Sequence, residues 1–349
     1  MTTKMAAAPN RGSGWSRAPG TACCVVMLCL FVMHVGFSSA AEPTEKMGLA
    51  LRDAPAGKAK LMPRVGFGTC CRWSASGAPL IKSTLSYFAQ GGRLIDTAQM
   101  YGNHQDLRTA IERSGVPREE LWVTSKVMTV RGSAKSTEAV ATQITTILDE
   151  LGLQYLDLLL LHHAKNNSPA QRAEQWQALV ASRNAGKIRH IGVANYDRLQ
   201  IEALEAATGV RPAVNQIEYH PYVEADTHAL VKWCQASGIA VTAYGSLGSA
   251  NLRNARKAPP KVAEAPPGTY GSGVAAVATR HGVTPTALLL RWALNHGCAV
   301  IPGATSAEHI GQNLNVKRFE LSAEDEAELV GSAKPHSWRL WGNMASDRR

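Results

Sequence analysis

The chain has 349 residues, of which 45% are hydrophobic and 18% are charged. This composition excludes a disordered chain and is sufficient to bury a large core. The formal net charge is +10, but the basic residues are scattered among acidic ones, which argues against a nucleic-acid partner.

The first 41 residues are typical of a secretory signal. They contain basic residues near the start, an apolar stretch at residues 23–37, and small residues at 39–41, where a signal peptidase would cleave. We therefore expect the protein in the secretory pathway, in the ER lumen or outside the cell. Two alternatives stay open. An uncleaved segment would anchor the chain in a membrane, and translation from Met47 would give a cytoplasmic protein.

After a linker at residues 42–60, short apolar runs alternate with segments of helical period. The runs that are typical of strands lie at residues 64–69, 93–98, 121–127, 155–163, 188–195, 213–220, 239–247 and 298–304. Alternating strands and helices indicate a parallel sheet, and eight strands are the number in a (β/α)8 barrel. We predict an α/β fold, a single-domain (β/α)8 TIM barrel over residues 61–334, with long loops at its mouth.

Helix starts are marked by capping residues. Ser136 opens one helical segment, Ser168-Pro169 opens another, and Thr284-Pro285 opens a third. A capping side chain followed by proline at the first helical position is a common N-terminal signal.

Two segments are candidate lids over the barrel mouth. The interruption at residues 248–273 is longer than most loops in compact domains, and the C-terminal tail at 335–349 contains tryptophans. Trp73 and Trp338 are candidate pocket walls.

Four cysteines lie beyond the N-terminal segment: Cys70, Cys71, Cys234 and Cys298. No pair has the spacing of metal ligands, and adjacent cysteines are poorly placed to bridge each other. We expect buried thiols, which fit either a reducing or an oxidising compartment. The histidines show no ligand spacing either, so no metal site is predicted.

Four polar residues stand at or just past the ends of apolar runs: Asp96, Tyr101, Lys126 and His162. The carboxyl edge of a parallel sheet is where ligands bind. A neighbouring ammonium lowers the pKa of a phenol, and a carboxylate keeps the ammonium charged. A histidine can orient a carbonyl group, while a hydride must come from a cofactor. The set therefore predicts carbonyl reduction.

His163 is the alternative to His162. The apolar run is followed directly by His162, and successive strand residues point to opposite faces, so the two histidines cannot exchange roles.

From about residue 62 to residue 315, the sequence resembles the aldo-keto reductase family. The matching stretches are residues 62–69, 95–103, 124–126, 156–162, 192–196, 215–222 and 301–304. The resemblance implies an NAD(P)H-dependent barrel enzyme. In such an enzyme Tyr101 is the general acid, Lys126 and Asp96 tune it, and His162 orients the substrate carbonyl. In the family's pattern the catalytic histidine directly follows the apolar run, which favours His162 over His163.

The same resemblance implies a set of cofactor-binding residues. Asn195 and Gln216 would hold the nicotinamide carboxamide, and Tyr244 would stack on the nicotinamide ring. The remaining implied contacts are Thr69, Ser246, Leu247, Gly303, Ala304, His309, Gln312 and Asn313.

The far end of the cofactor site departs from the family pattern. The family commonly carries Lys-Ser and, slightly later, Arg, which grip the 2′-phosphate of NADPH; this chain has Gly303, Ala304 and His309 instead. A helix start at Ser306 could still receive a phosphate. We favour NADP(H) as the cofactor, with NAD(H) as the alternative.

A binding module is the alternative to an enzyme. The same barrel serves as a nicotinamide-binding regulatory or redox-sensor module in some members of the family, with little turnover. The complete set of four polar residues favours the enzyme. We expect a monomer that acts on a small-molecule carbonyl substrate.

Overall fold

The computed structural model of the protein describes residues 48–52, 60–70, 75–130, 136–248, 272–316 and 319–331. The predicted signal or anchor, the C-terminal tail, Trp73, Trp338 and nearly all of the interruption at residues 248–273 lie outside these ranges. Within the described ranges, no helix is both long and apolar enough to cross a membrane.

Among the described residues, ten strands form two sheets. A small antiparallel pair consists of β1 (Gly48–Leu49) and β2 (Met62–Pro63). The other eight strands are parallel, and each pairs with its neighbours in chain order: β3 (Phe67–Gly68), β4 (Leu94–Asp96), β5 (Trp122–Val127), β6 (Leu156–Leu161), β7 (Ile188–Ala194), β8 (Val214–Glu218), β9 (Ala240–Tyr244) and β10 (Ala299–Val300). Each of these eight lies inside one predicted run, which confirms the predicted fold class.

The first and last parallel strands meet, and this closes the barrel. Val65 forms a parallel bridge with Val300. The Gly66 amide donates to the Val300 carbonyl over 2.8 Å, and the Val300 amide donates to the Arg64 carbonyl over 2.7 Å. Closure leaves neither edge of the large sheet open.

Helices follow the strands around the barrel. They are α1 (Gly77–Ala89), α2 (His104–Ser114), α3 (Ser136–Leu151), α4 (Pro169–Asn184), α5 (Arg198–Thr208), α6 (Ala225–Ala236), α7 (Ser272–Arg280), α8 (Pro285–Asn295), α9 (Ala307–Leu314) and α10 (Ala323–Gly331). The three predicted starts are confirmed. Helix α3 begins at Ser136, and the side chains of Ser168 and Thr284 cap α4 and α8.

Alternation along the strands separates an inner core from an outer one. On β6, Leu158 and Leu160 belong to the inner cluster, whereas Leu159 and Leu161 pack in the larger cluster with residues of the helices. The inner cluster also contains Met62 of β2 and Leu51, which follows β1. Polar residues in step with the inner set therefore point into the barrel.

The cysteine prediction is correct in part. Cys234 and Cys298 are buried free thiols, and burial raises the pKa of each to about 12. Cys70 is disulfide-bonded, so the prediction of a thiol is wrong there, and Cys71 lies outside the described residues. Disulfide formation depends on the distance between sulfur atoms in the fold, which spacing along the chain does not fix.

We expect Gly68→Ala to destabilise the protein at the seam between β3 and β10. A methyl group on Gly68 would lie 2.5 Å from the Ile301 backbone oxygen, and backbone cannot give way as a flexible side chain can. The free energy of unfolding should fall by about 1–3 kcal/mol, as in other overpacked sites, measured by urea denaturation.

Gly331→Ala is the matched control. Gly331 is the last residue of α10, and a methyl group there meets nothing within 4 Å. Its free energy of unfolding should change by no more than about 0.5 kcal/mol. Equal stability of Gly68→Ala and the wild type would contradict the close contact at the seam.

Candidate active site

A buried ion pair joins two neighbouring strands inside the barrel. Asp96 ends β4 and Lys126 lies near the end of β5, and the two residues are 3% and 1% exposed. The Lys126 ammonium donates to Asp96 Oδ1 over 2.6 Å and to the Thr97 carbonyl oxygen over 2.8 Å. The paired carboxylate raises the pKa of Lys126 against the opposing effect of burial. Lys126 is therefore charged at neutral pH.

Tyr101 lies on a short 3₁₀ turn, Gln99–Tyr101, between β4 and α2. Gly102 ends this turn with a φ of 64°, a left-handed conformation that glycine adopts without strain. The turn brings the phenol oxygen to 3.5 Å from Lys126 Nζ. The structure thus assembles Asp96, Lys126 and Tyr101 into one hydrogen-bonded group.

The pKa of Tyr101 is raised above its ordinary value near 10. Burial is the main cause, because it disfavours the phenolate, and the Asp96 carboxylate adds to it. Lys126 acts in the opposite direction, as expected from the sequence, but it does not outweigh burial. At neutral pH Tyr101 therefore carries its proton.

His162 lies against Tyr101. The ring centroids are 6.0 Å apart, and the rings meet edge to face. Burial, the Lys126 charge and the neighbouring His163 lower the pKa of His162 to about 2. The imidazole is therefore neutral at physiological pH and can donate a hydrogen bond without carrying charge.

His163 takes a different position. It is in step with the outer residues of β6, and the Thr129 hydroxyl lies 3.1 Å from its ring nitrogens. His162 continues the inner set of Leu158 and Leu160. His162 therefore lies on the inner side of the strand and His163 on the outer side.

Three predicted nicotinamide contacts lie beside this group. Gln216 Nε2 donates to Asp96 Oδ2 over 2.7 Å. Asn195 Nδ2 donates to the His162 carbonyl oxygen over 3.0 Å, and the Tyr244 hydroxyl donates to Asn195 Oδ1 over 2.7 Å. Asn195 has a φ of 62°, so a left-handed backbone sets the position of its side chain at the end of β7.

Three more predicted contacts lie at strand ends. Thr69 follows β3 and is fully buried, and its hydroxyl donates to the Asp96 carbonyl oxygen over 3.1 Å. Ser246 and Leu247 follow β9, and the Ser246 hydroxyl donates to the Ala243 carbonyl oxygen over 3.2 Å. These residues lie at the same end of the barrel as Asp96, Tyr101, Lys126 and His162, the four residues called the tetrad below.

The remaining predicted contacts follow β10. Gly303 is exposed and Ala304 is buried on the loop that leads to α9. The Ser306 side chain caps α9 by accepting from the His309 amide over 3.1 Å. On α9, Gln312 donates to Glu308 over 3.2 Å, and Asn313 is 9% exposed. The segment after β10 therefore places an acidic side chain, Glu308, in the first turn of the capped helix α9.

One residue that anchors the site was not predicted from the sequence. Asn103 is buried; its Oδ1 accepts from the Thr97 hydroxyl over 2.8 Å, and its Nδ2 donates to the Thr69 and Ala75 carbonyl oxygens. It ties the loop that carries Tyr101 to the end of β3. Its place directly before α2, where asparagine often caps a helix, was the available signal.

A second unpredicted group supports β5 from outside. Ser125 is fully buried, its hydroxyl lies 3.2 Å from His104 Nε2, and His104 Nδ1 lies 2.7 Å from Glu150. Burial lowers the pKa of His104. The group links β5 to α2 and α3 directly behind Lys126.

Across the described ranges, no three or more His, Cys, Asp or Glu side chains are grouped so that they could hold a metal ion.

The chain is similar to known proteins in sequence and in fold. Residues 70–333 match the model of the Aldo/keto reductase family. The chain belongs to the aldo-keto reductase family. It is 33% identical to aldo-keto reductase family 1 member A1 of Cricetulus griseus, over 80% of this chain and 88% of that protein.

Two further members of the family extend the comparison. The NAD(P)H-dependent D-xylose reductase I,II of Candida tropicalis is 31% identical, over 76% of this chain and 87% of that protein. The aldo/keto reductase crystal structure from Brucella melitensis superposes with a TM-score of 0.67 at 27% identity, covering 82% and 99% of the two chains. The protein is thus an enzyme of this family, and its relatives include reductases that are named NAD(P)H-dependent.

The residues present fit a nicotinamide. Gln216 and Asn195 are primary amides, and each uses one N–H within the barrel. Gln216 is 3% exposed, yet its Oε1 accepts no hydrogen bond from the part of the chain that the structure describes. A carboxamide offers both an acceptor and donors, which matches this set.

Proposed function

We propose that the protein reduces an aldehyde or ketone to an alcohol with NAD(P)H, and that Tyr101 is the general acid. The observation that carries this proposal is the Lys126 ammonium, which is bound to Asp96 and reaches the Tyr101 oxygen at 3.5 Å. An ammonium in this position stabilises the phenolate that remains once the proton has left.

Each member of the tetrad has a separate task. The neutral His162 imidazole hydrogen-bonds the substrate carbonyl oxygen and turns the carbonyl carbon towards the cofactor. Tyr101 donates its proton to the same oxygen as charge develops there. When bound, the reduced nicotinamide supplies the hydride. Asn195, Gln216 and Tyr244 would hold the nicotinamide against this pocket.

The raised pKa of Tyr101 favours reduction at neutral pH. Reduction needs the protonated phenol, which is present below the pKa, whereas alcohol oxidation needs the phenolate, which is present above it. The oxidative rate should therefore rise with pH through the alkaline range.

We propose NADP(H) as the preferred cofactor, with Ser306, His309 and the first amides of α9 at the 2′-phosphate. A capped helix N-terminus favours an anion. The Glu308 carboxylate in the first turn repels a phosphate. If this repulsion exceeds the attraction of the helix N-terminus, the protein prefers NAD(H), which has no 2′-phosphate.

We also propose that the monomer is active on small-molecule carbonyl compounds, since one barrel carries the complete tetrad. Relatives with named substrates, such as the D-xylose reductase, are the basis for this substrate class.

The first test is Tyr101→Phe, which removes the acidic hydroxyl and keeps the ring. We expect kcat for reduction of a simple aldehyde to fall by about 10²–10⁴, the usual contribution of a general acid, while the Kd of the cofactor stays the same. Tyr155→Phe is the control, because Tyr155 lies before β6 at the opposite end of the barrel, between Arg118 and Arg189. Near-normal turnover of Tyr101→Phe would overturn the assignment. Cofactor binding by the wild type without turnover would indicate a sensor module.

The second test is His309→Arg, which adds a permanent cation to α9. The Kd for NADPH should fall about tenfold or more, as expected of one charge-assisted hydrogen bond. The Kd for NADH, which lacks the 2′-phosphate, serves as the internal control and should change little. Equal effects on the two cofactors would place the 2′-phosphate elsewhere.

We propose entry into the secretory pathway, supported by the N-terminal pattern and by the Cys70 disulfide, since disulfides persist mainly in oxidising compartments. N-terminal sequencing of the protein from eukaryotic cells should find a mature chain that begins near Glu42. A chain that begins at Met47 would indicate the cytoplasm. An intact N-terminus in the membrane fraction would indicate an anchor.

A further inference from the structure

Gln216 makes a contact that its predicted role at the cofactor does not require. Its Nε2 donates to Asp96 Oδ2 over 2.7 Å, while Asp96 Oδ1 accepts from Lys126 over 2.6 Å. All three side chains are buried. The carboxylate is therefore held from both sides, by an ammonium from β5 and an amide from β8.

The position of the Asp96 carboxylate sets how closely the Lys126 ammonium approaches the Tyr101 phenol oxygen. Lys126 directs its three N–H groups to Asp96, to the Thr97 carbonyl oxygen at 2.8 Å, and to Tyr101 at 3.5 Å. The contact with Tyr101 is the longest of the three, so a shift of the ammonium towards Asp96 weakens it first. Lys126 lowers the pKa of Tyr101 and Asp96 raises it.

We propose that Gln216 is a positioning residue of the proton-transfer group: by holding Asp96 Oδ2, it keeps Lys126 against Tyr101. The inference rests on the proposed reduction and gives Gln216 a task besides the carboxamide. Both tasks are compatible, because the amide Nε2 faces Asp96 and Oε1 is left for the cofactor. Gln216 thereby couples the nicotinamide site to the acid.

The other titratable groups near Tyr101 do not supply a charge that acts on its phenol. His162 on β6 and His104 on α2 have pKa values lowered by burial, so both are neutral near and above neutral pH. Glu218, further along β8, lies 3.2 Å from His220. The charges that act on Tyr101 are those of Asp96 and Lys126.

Gln216→Met removes the donor and keeps the length of the side chain. Without the N–H, the negative charge on Oδ2 loses its partner and attracts Lys126 more strongly, so the Tyr101 phenolate is less stabilised. At saturating cofactor, the rate of alcohol oxidation should rise with pH along a curve whose midpoint lies about one pH unit higher than in the wild type. At each pH below that midpoint the rate should therefore be roughly tenfold lower. A pH titration of phenolate absorbance measures Tyr101 directly, once the absorbance of the same chain with Tyr101→Phe has been subtracted. The midpoint of this titration should also move to higher pH in Gln216→Met.

Gln216→Glu provides a second variant that keeps the shape. Two carboxyl groups in contact share a proton, and a protonated Glu can donate to Asp96 as the amide does. Its reductive kcat should be low at alkaline pH and recover towards that of the wild type as the pH falls. This rescue tests the donor even if Gln216→Met does not fold.

Gln143→Met is the matched control, since Gln143 bonds to the backbone of Met128, directly after β5, and makes no contact with Asp96. It should leave the position of the pH profile unchanged. Cofactor Kd is measured for every variant by nicotinamide fluorescence. A weaker Kd with an unshifted pH profile and no rescue in Gln216→Glu would assign Gln216 to the cofactor alone and overturn the proposal. Absence of turnover in the wild type would instead refute the proposed function, and the Tyr101 absorbance titration would still decide the role of Gln216.

Discussion

The site depends on a pair of opposite charges buried inside the barrel. Asp96 and Lys126 are almost fully shielded from water, and a charge in that position is tolerated only if hydrogen bonds replace its hydration. The Thr97 carbonyl supplies one such bond to Lys126, and Gln216 supplies one to Asp96. Loss of either charge alone would leave the other unpaired, at a cost of about 3–5 kcal/mol. The same arrangement that makes the pair tolerable also directs the third ammonium N–H at Tyr101.

The barrel supplies this arrangement through the period of its strands. Asp96, Lys126, His162 and Gln216 lie on or directly after four different strands, and each is in step with an inner apolar residue: Leu94, Trp122, Leu160 and Val214. Side chains of alternate strand residues face the same side. The apolar inner layer fills the lower barrel, and the polar residues continue the same rows at the carboxyl end. Four residues distant in the sequence therefore converge without any unusual backbone.

Much of this could be predicted from the sequence because it is local. The apolar runs predict all eight barrel strands, and Ser136, Ser168 and Thr284 predict helix starts. Strand period likewise predicts that His162 and His163 face opposite sides of the strand. The thiol at Cys70 was predicted wrongly, because a disulfide joins atoms whose distance is a property of the fold. The anchoring role of Asn103 was missed for the same reason, since its partners are backbone carbonyls on another loop.

The sequence by itself determined which chemical groups are available and at which strand ends they stand, because strand period and capping act between near neighbours. Only the tertiary structure decided how those groups act on one another. Burial, which depends on the whole barrel, raises the pKa of Tyr101 despite Lys126 and lowers that of His162 to about 2. The contact between Gln216 and Asp96, on strands far apart in the chain, likewise exists only once the barrel has closed.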